Sequence, residues 1–174
     1  MTSARRSLRG AAMSPRVAVQ MDPLDKINIA GDSTFAIMLG AQQRGHRLWH
    51  YLADDLNYRD GRLTARAHPV TVQRIEGGHF RFGEPELIDL GGDIDVVLMR
   101  QDPPFDLGYI TATHLLERIQ DRTLVVNDPA TVPNAPEKVW VLDFARFMPP
   151  TLITRSLAAA GEFLAEHGEI VVKP

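Results

Sequence analysis

The side chains best suited to bind an anionic ligand lie in one short segment, residues 99–106, which reads MRQDPPFD. The planar guanidinium of Arg100 can hold two oxygens of a carboxylate or phosphoryl group at once. Two prolines follow Asp102, and they restrict the residues before them to extended conformations, which predicts a stiff turn with Arg100 and Asp102 at a fixed separation. The alternative is a structural ion pair between Arg100 and Asp102 that closes a loop.

The element that must position this segment is the apolar run that precedes it, residues 95–99. Two glycines lie before the run and two prolines after it, which is typical of a short buried strand in an α/β sheet. Such sheets bind small molecules at the carboxyl ends of their strands. The sequence therefore places Arg100 and Asp102 at a predicted ligand-binding edge.

From residue 16 onward the chain alternates predicted strands and helices. Apolar runs predict strands over residues 17–21, 47–52 and 124–127, the last of them buried, and helical patterns predict helices over residues 33–44 and 109–119. Asp60-Gly61 predicts a β-hairpin insertion within residues 56–72, and residues 80–90 are predicted to be edge strand and loop. This alternation indicates an α/β fold with a mixed or parallel sheet.

A second unit is predicted after a proline-rich linker, over residues 135–174. Its pattern predicts helices over residues 137–144 and 156–167 and strands over residues 151–154 and 170–172. Residues 1–15 contain three arginines and no acidic residue, and they are predicted to be a flexible tail, with an organellar transit peptide as the alternative. Residues 16–134 form the first unit in this division.

Composition excludes several classes of partner. The formal charge is −3 and charges of both signs are interspersed, so we expect no nucleic-acid partner. No apolar run approaches the roughly 20 residues that cross a bilayer, so we expect no membrane partner. The absence of cysteine excludes disulfides and thiolate metal sites and, with no secretory signal, favours the cytoplasm. The six histidines are scattered, so no metal site is predicted.

Six separated motifs occur in one order along the chain. They are VQMDP at residues 19–23, INI at 27–29, DSTFA at 32–36, MRQDPPFD at 99–106, NAPEK at 134–138 and VKP at 172–174. Together they resemble the amino-terminal half of the bacterial glutathione synthetase family of ATP-grasp ligases. The resemblance implies a Rossmann-like pre-ATP-grasp domain on the substrate side, followed by the start of an ATP-grasp central domain.

The same resemblance implies a chemistry. It implies an ATP-dependent ligase that joins γ-glutamylcysteine to glycine through an acyl phosphate, uses Mg²⁺ and forms a homotetramer. The glycine-rich phosphate loop and the metal ligands are expected beyond Pro174, so residues 1–174 alone are expected to be inactive. Two rival functions stay open: an ATP-grasp ligase for another amino-acid or peptide carboxylate, and a non-catalytic α/β ligand-binding module.

The family pattern also implies roles for individual residues. Arg100 is the predicted catalytic residue, and the predicted substrate-binding residues are Asp22, Asn28, Asp32, Ser33, Arg100 and Asp102. The first four lie in the connection between the first strand and helix, where amide N–H groups can hold an anion and carboxylates an ammonium group. Asp32 or Ser33 could instead merely cap the helix.

Two lysines match those that contact the nucleotide in this family, Lys138 and Lys173. Each offers a compact positive charge for a phosphate oxygen, and the alternative for each is a solvated surface charge. Lys173 follows Val171 and Val172, which the sequence predicts to be buried. A solvated surface position is therefore less expected for Lys173.

Overall fold

The computed structural model describes residues 14–173, so residues 1–13 of the predicted tail and Pro174 lie outside the described residues. The chain forms two compact units, one that ends at Pro133 and one that begins at Asn134. Within residues 14–173, no helix combines the length and apolar composition needed to cross a bilayer.

The first unit is built on an eight-stranded sheet with two helices. The strands are β1 Arg16–Gln20, β2 Arg47–Tyr51, β3 Leu56–Arg59, β4 Arg62–Val72, β5 Phe80–Phe82, β6 Glu86–Asp89, β7 Val96–Met99 and β8 Leu124–Val126. The helices are α1 Ser33–Gln43 and α2 Leu107–Glu117. In the second unit, α3 Glu137–Trp140 continues into a 3₁₀ helix over Val141–Phe147, and α4 spans Leu157–His167.

Four parallel strands in the order β2-β1-β7-β8 form the part of the sheet that carries the ligand-binding edge. Alternate residues of β1 belong to different hydrophobic cores. Val19 lies in one core with Phe35 of α1, whereas Ala18 lies in another with Leu116 of α2. The two helices therefore cover opposite faces. After β1 the chain turns towards β2, and after β7 it turns the other way towards β8. Because these two connections run in opposite directions, a crevice is left between them at the carboxyl ends of β1 and β7.

The remaining strands form an antiparallel extension around the long strand β4. Its second half pairs with β2 and β5, and its first half pairs with β3 and β6, so that the mixed sheet curls. The β3–β4 hairpin turns at Asp60 and Gly61, whose φ angles are 52° and 79°. Both residues are left-handed, as the two-residue turn requires, which confirms the hairpin predicted from Asp60-Gly61.

Most of the predicted elements are confirmed, but two predicted strands are not formed and a third is formed without the predicted burial. Strand β8 is not buried as predicted, because it lies at the sheet edge with a helix on one face only; Val125 is buried while Leu124 is 61% exposed. The strands predicted over residues 151–154 and 170–172 are not formed among the described residues. A strand needs a neighbour for its backbone hydrogen bonds, and apolar composition alone does not supply one.

The left-handed turn at Gly61 yields a stability prediction. Gly61→Ala is expected to lower the free energy of unfolding by about 1 kcal/mol, because a Cβ clashes with the backbone at positive φ. Gly31→Ala is the matched control, since a Cβ built there meets no atom within 4 Å and the backbone is not left-handed. Urea unfolding measures both variants, and equal losses would contradict this account of the turn.

Candidate functional site

The candidate site lies where β1 and β7 end side by side. Gln20 is paired with Met99 in the parallel register, so the residues that follow these two positions emerge at the same edge. On the β1 side the chain continues through Asp22 to the start of α1, and on the β7 side it continues through Arg100 towards α2. Residues about 80 positions apart in the sequence are thereby brought together.

Two residues at the end of β1 fix three successive residues after β7. The Arg100 backbone N–H donates to the Gln20 carbonyl at 2.7 Å, and the Gln20 side-chain amide donates to the Gln101 side-chain oxygen. The Asp102 backbone N–H donates to Asp22 Oδ2 at 3.0 Å. The corner that the prolines were expected to stiffen is therefore also held in place by hydrogen bonds from the neighbouring strand.

The Arg100 guanidinium is oriented by hydroxyl groups at the start of α1. Its Nε donates to Thr34 Oγ1 at 3.1 Å and its Nη2 donates to Ser33 Oγ at 2.9 Å. Among the side chains that the structure describes, no carboxylate oxygen lies within 4.0 Å of an Arg100 nitrogen, so the ion pair with Asp102 is not formed. Hydroxyl partners fix the direction of the guanidinium without neutralising its charge, which suits it to receive an anion.

The remaining predicted substrate residues divide between the crevice and the loop. Asp32 is the N-cap of α1, because its Oδ1 accepts from the Phe35 N–H at 2.6 Å, whereas Ser33 bonds Arg100. Asn28 uses its side-chain oxygen on the Ala30 N–H at 3.0 Å and thus shapes the loop. The structure therefore brings together Asp22, Ser33, Arg100 and Asp102, and it gives Asp32 and Asn28 local backbone partners.

Four residues at this edge are absent from the sequence prediction: Gln20, Thr34, Gln101 and Tyr109. Burial raises the pKa of the Tyr109 hydroxyl; the Arg100 charge opposes that rise and the Asp102 charge adds to it, so Tyr109 lies within electrostatic reach of both. Of these four residues, Gln20 could have been recognised from the sequence, because it is a polar residue within an apolar run. It is fully buried, and its Oε1 has no hydrogen-bond partner in the described part of the chain.

The two predicted nucleotide lysines belong to the second unit. Lys138 lies in α3 and is exposed, as is Lys173 near the end of the described residues. The valines before Lys173 are 86% and 82% exposed, so the inference that Lys173 follows a buried strand is wrong. Its case as a nucleotide contact depends on the family pattern alone.

Comparison with known proteins assigns both units. The model for the prokaryotic glutathione synthetase N-terminal domain matches residues 16–132, and the model for the ATP-grasp domain of prokaryotic glutathione synthetase matches residues 137–174. The chain belongs to the prokaryotic glutathione synthetase family. This membership confirms the resemblance inferred from the six motifs.

Several relatives in this family are individually similar to the chain. A glutathione synthetase of Rhodopseudomonas palustris is 55% identical over 162 residues, which cover 93% of this chain and 51% of the relative. One of Agrobacterium fabrum is 54% identical over 91% of this chain and 49% of its own length, and one of Salmonella typhimurium is 39% identical over 91% and 50%. The chain thus spans about half the length of the curated relatives that it matches.

The assignment of the helix cap is testable by stability. Asp32→Ala is expected to lower the free energy of unfolding by about 1 kcal/mol, because it removes the acceptor for the Phe35 N–H. Ser33→Ala, at the neighbouring position, is expected to change it by less than about 0.5 kcal/mol, because the Ser33 hydroxyl caps no backbone group. Urea unfolding compares the two variants, and a larger loss for Ser33→Ala would reverse the assignment.

Proposed function

We propose that the complete gene product is an ATP-dependent ligase that joins γ-glutamylcysteine to glycine to form glutathione. Both family models and relatives at 55% and 54% identity support this proposal. The structural observation that carries it is the Arg100 guanidinium, which is held by two hydroxyls at the end of the central strands and keeps its charge available for an anionic substrate.

We infer a Rossmann-like pre-ATP-grasp domain over residues 16–134 and the start of an ATP-grasp domain over residues 135–174. The parallel order β2-β1-β7-β8, with α1 and α2 on opposite faces, supports the first assignment. The division of the chain after Pro133 and the gap between the two matched regions support the boundary. A cytoplasmic homotetramer is part of the same proposal and is supported by the family resemblance.

The proposed substrate contacts follow from the charges at the crevice. Arg100 would bind a carboxylate of the dipeptide or the phosphoryl group transferred to it, with Ser33 beside it. The Asp22 carboxylate accepts the Asp102 backbone N–H, and the carboxylates of these two residues would attract the ammonium group of the γ-glutamyl moiety. Asn28 and Asp32 would contribute by shaping the loop and the helix start that present these groups.

ATP would be contacted on the other unit by Lys138 and Lys173. Both residues are exposed, which fits contact between their ammonium groups and phosphate oxygens. ATP would supply the phosphoryl group, and Mg²⁺ would neutralise negative charge on it. Within residues 14–173 no group of three acidic, histidine or cysteine side chains could hold a metal ion, so no metal ligand is proposed there.

The chemistry explains why positive charge is needed at this edge. A free carboxylate is a poor electrophile, and transfer of the γ-phosphoryl group of ATP to one carboxylate oxygen gives an acyl phosphate and ADP. The glycine amine then attacks the carbonyl carbon, the amide bond forms and phosphate leaves. In such a reaction the protein mainly aligns the reactants and stabilises negative charge, which are the contributions expected of a fixed guanidinium.

The proposal predicts a selective defect in an Arg100 variant. Arg100→Met is expected to raise the KM for γ-glutamylcysteine about 10-fold to 100-fold, as for the loss of a charge-assisted hydrogen bond. Arg44→Met is the control, because the Arg44 guanidinium bonds only the Gly40 carbonyl of its own helix among its described contacts. The measurement is coupled ADP release by the complete gene product with ATP, Mg²⁺ and glycine.

Two outcomes would oppose the proposal. Unchanged values of both kcat and KM in Arg100→Met, with a folded variant by circular dichroism, would remove Arg100 from the substrate site. Faster turnover with a different dipeptide or amino-acid carboxylate than with γ-glutamylcysteine would indicate another ATP-grasp ligase.

A further inference from the structure

Two histidines contact the loop that carries Asp22, one from β2 and one from the segment between β4 and β5. His50 Nε2 lies 3.2 Å from the Asp22 carbonyl oxygen, and His79 Nε2 lies 2.6 Å from the Leu24 carbonyl oxygen. These two carbonyls flank Pro23, which has no N–H of its own to fix the loop. Because a carbonyl can only accept, each histidine must carry a proton on Nε2 in this arrangement.

Both imidazoles are held by their surroundings. The His79 ring packs edge-on against Phe35 and Phe80, with ring centroids 5.8 and 5.0 Å away, and its backbone carbonyl accepts from the Gln73 N–H. The His50 ring stacks on Phe82 at 5.4 Å and is almost fully buried. Burial lowers the pKa of His50, which keeps the imidazole neutral with its Nε2–H available to the carbonyl.

The loop that these donors hold is coupled to both sides of the crevice. The Asp22 carboxylate accepts the Asp102 N–H, so the position of the Asp22 backbone sets the position of the corner after β7. The Leu24 side chain is buried in the same core as Phe35, whose N–H is capped by Asp32 at the start of α1. A shift of this loop would therefore be transmitted to Asp22 and Asp102.

We infer that His79 and His50 are positioning residues for the substrate side of the site: through Nε2–H hydrogen bonds to the Leu24 and Asp22 carbonyls they fix the loop that sets Asp22 against Asp102. The assignment to dipeptide binding rests on the proposed function. Neither ring touches the Arg100 corner in the contacts described, so their effect is exerted through the backbone.

The competing explanation is that the His79 ring only fills space against Phe35 and Phe80. Two substitutions separate the hydrogen bond from the packing. His79→Gln keeps an N–H donor at about the same distance from the backbone but loses the ring, and His79→Phe keeps a ring but loses the donor. His68→Phe is the control from the same aromatic group, because His68 stacks on Phe82 and bonds the Gly83 carbonyl and not a carbonyl of the loop.

The first experiment measures steady-state kinetics of the complete gene product. His79→Phe is expected to raise the KM for γ-glutamylcysteine about fivefold, the size of one lost neutral hydrogen bond, with the KM for ATP within about twofold of the unsubstituted enzyme. His79→Gln and His68→Phe are expected to stay within about twofold for both substrates. A defect in His79→Gln with none in His79→Phe would overturn the inference in favour of packing.

The second experiment does not depend on catalysis. Hydrogen exchange, followed by mass spectrometry, is expected to become about fivefold faster in His79→Phe for peptides that contain the Asp102 amide, and to stay unchanged in His68→Phe. Unchanged exchange in His79→Phe would overturn the positioning role even in an active enzyme. If exchange is faster in His79→Phe but the unsubstituted enzyme does not use γ-glutamylcysteine, the positioning role is supported and the proposed substrate is rejected.

Discussion

The candidate site depends on the parallel pairing of β1 with β7. This pairing places the Gln20 carbonyl opposite the Arg100 N–H and brings the Asp22 carboxylate to the Asp102 N–H. The residues at the end of β1 thereby fix the position of the corner that follows β7. A corner of exposed backbone with two prolines has few internal hydrogen bonds. It acquires a defined position only because the neighbouring strand supplies the partners.

Once the corner is in place, the start of α1 determines how Arg100 is presented. Ser33 and Thr34 are neutral at all ordinary pH values, so they orient the guanidinium without forming an ion pair. A carboxylate partner would have compensated the charge that an anionic substrate must meet. Asp32, next to them, caps the backbone of α1. One residue therefore stabilises the helix, and two others orient the charge in the crevice.

The antiparallel extension around β4 has a second role beyond completing the sheet. It carries His79 to the loop after β1, and it pairs His68 with His50 across β2 and β4. The parallel strands alone would supply His50 from β2 but would leave that loop without the His79 donor. In the second unit, by contrast, the segments at residues 151–154 and 170–172 form no strand, because no neighbouring strand is present among the described residues.

The sequence by itself determined what short-range forces control. It predicted the Asp60-Gly61 hairpin, the limits of α1 to within one residue and those of α2 to within two, and the MRQDPPFD corner. It also predicted Asp32 as one of two candidates for the cap of α1. Each of these depends on backbone preferences within a few residues. Six ordered motifs also predicted the family. Only the tertiary structure decided that Arg100 meets Ser33 and Thr34, that β8 is an edge strand, and that His79 reaches Leu24. Those outcomes follow from strand order and register, which depend on contacts between residues that are distant in the chain.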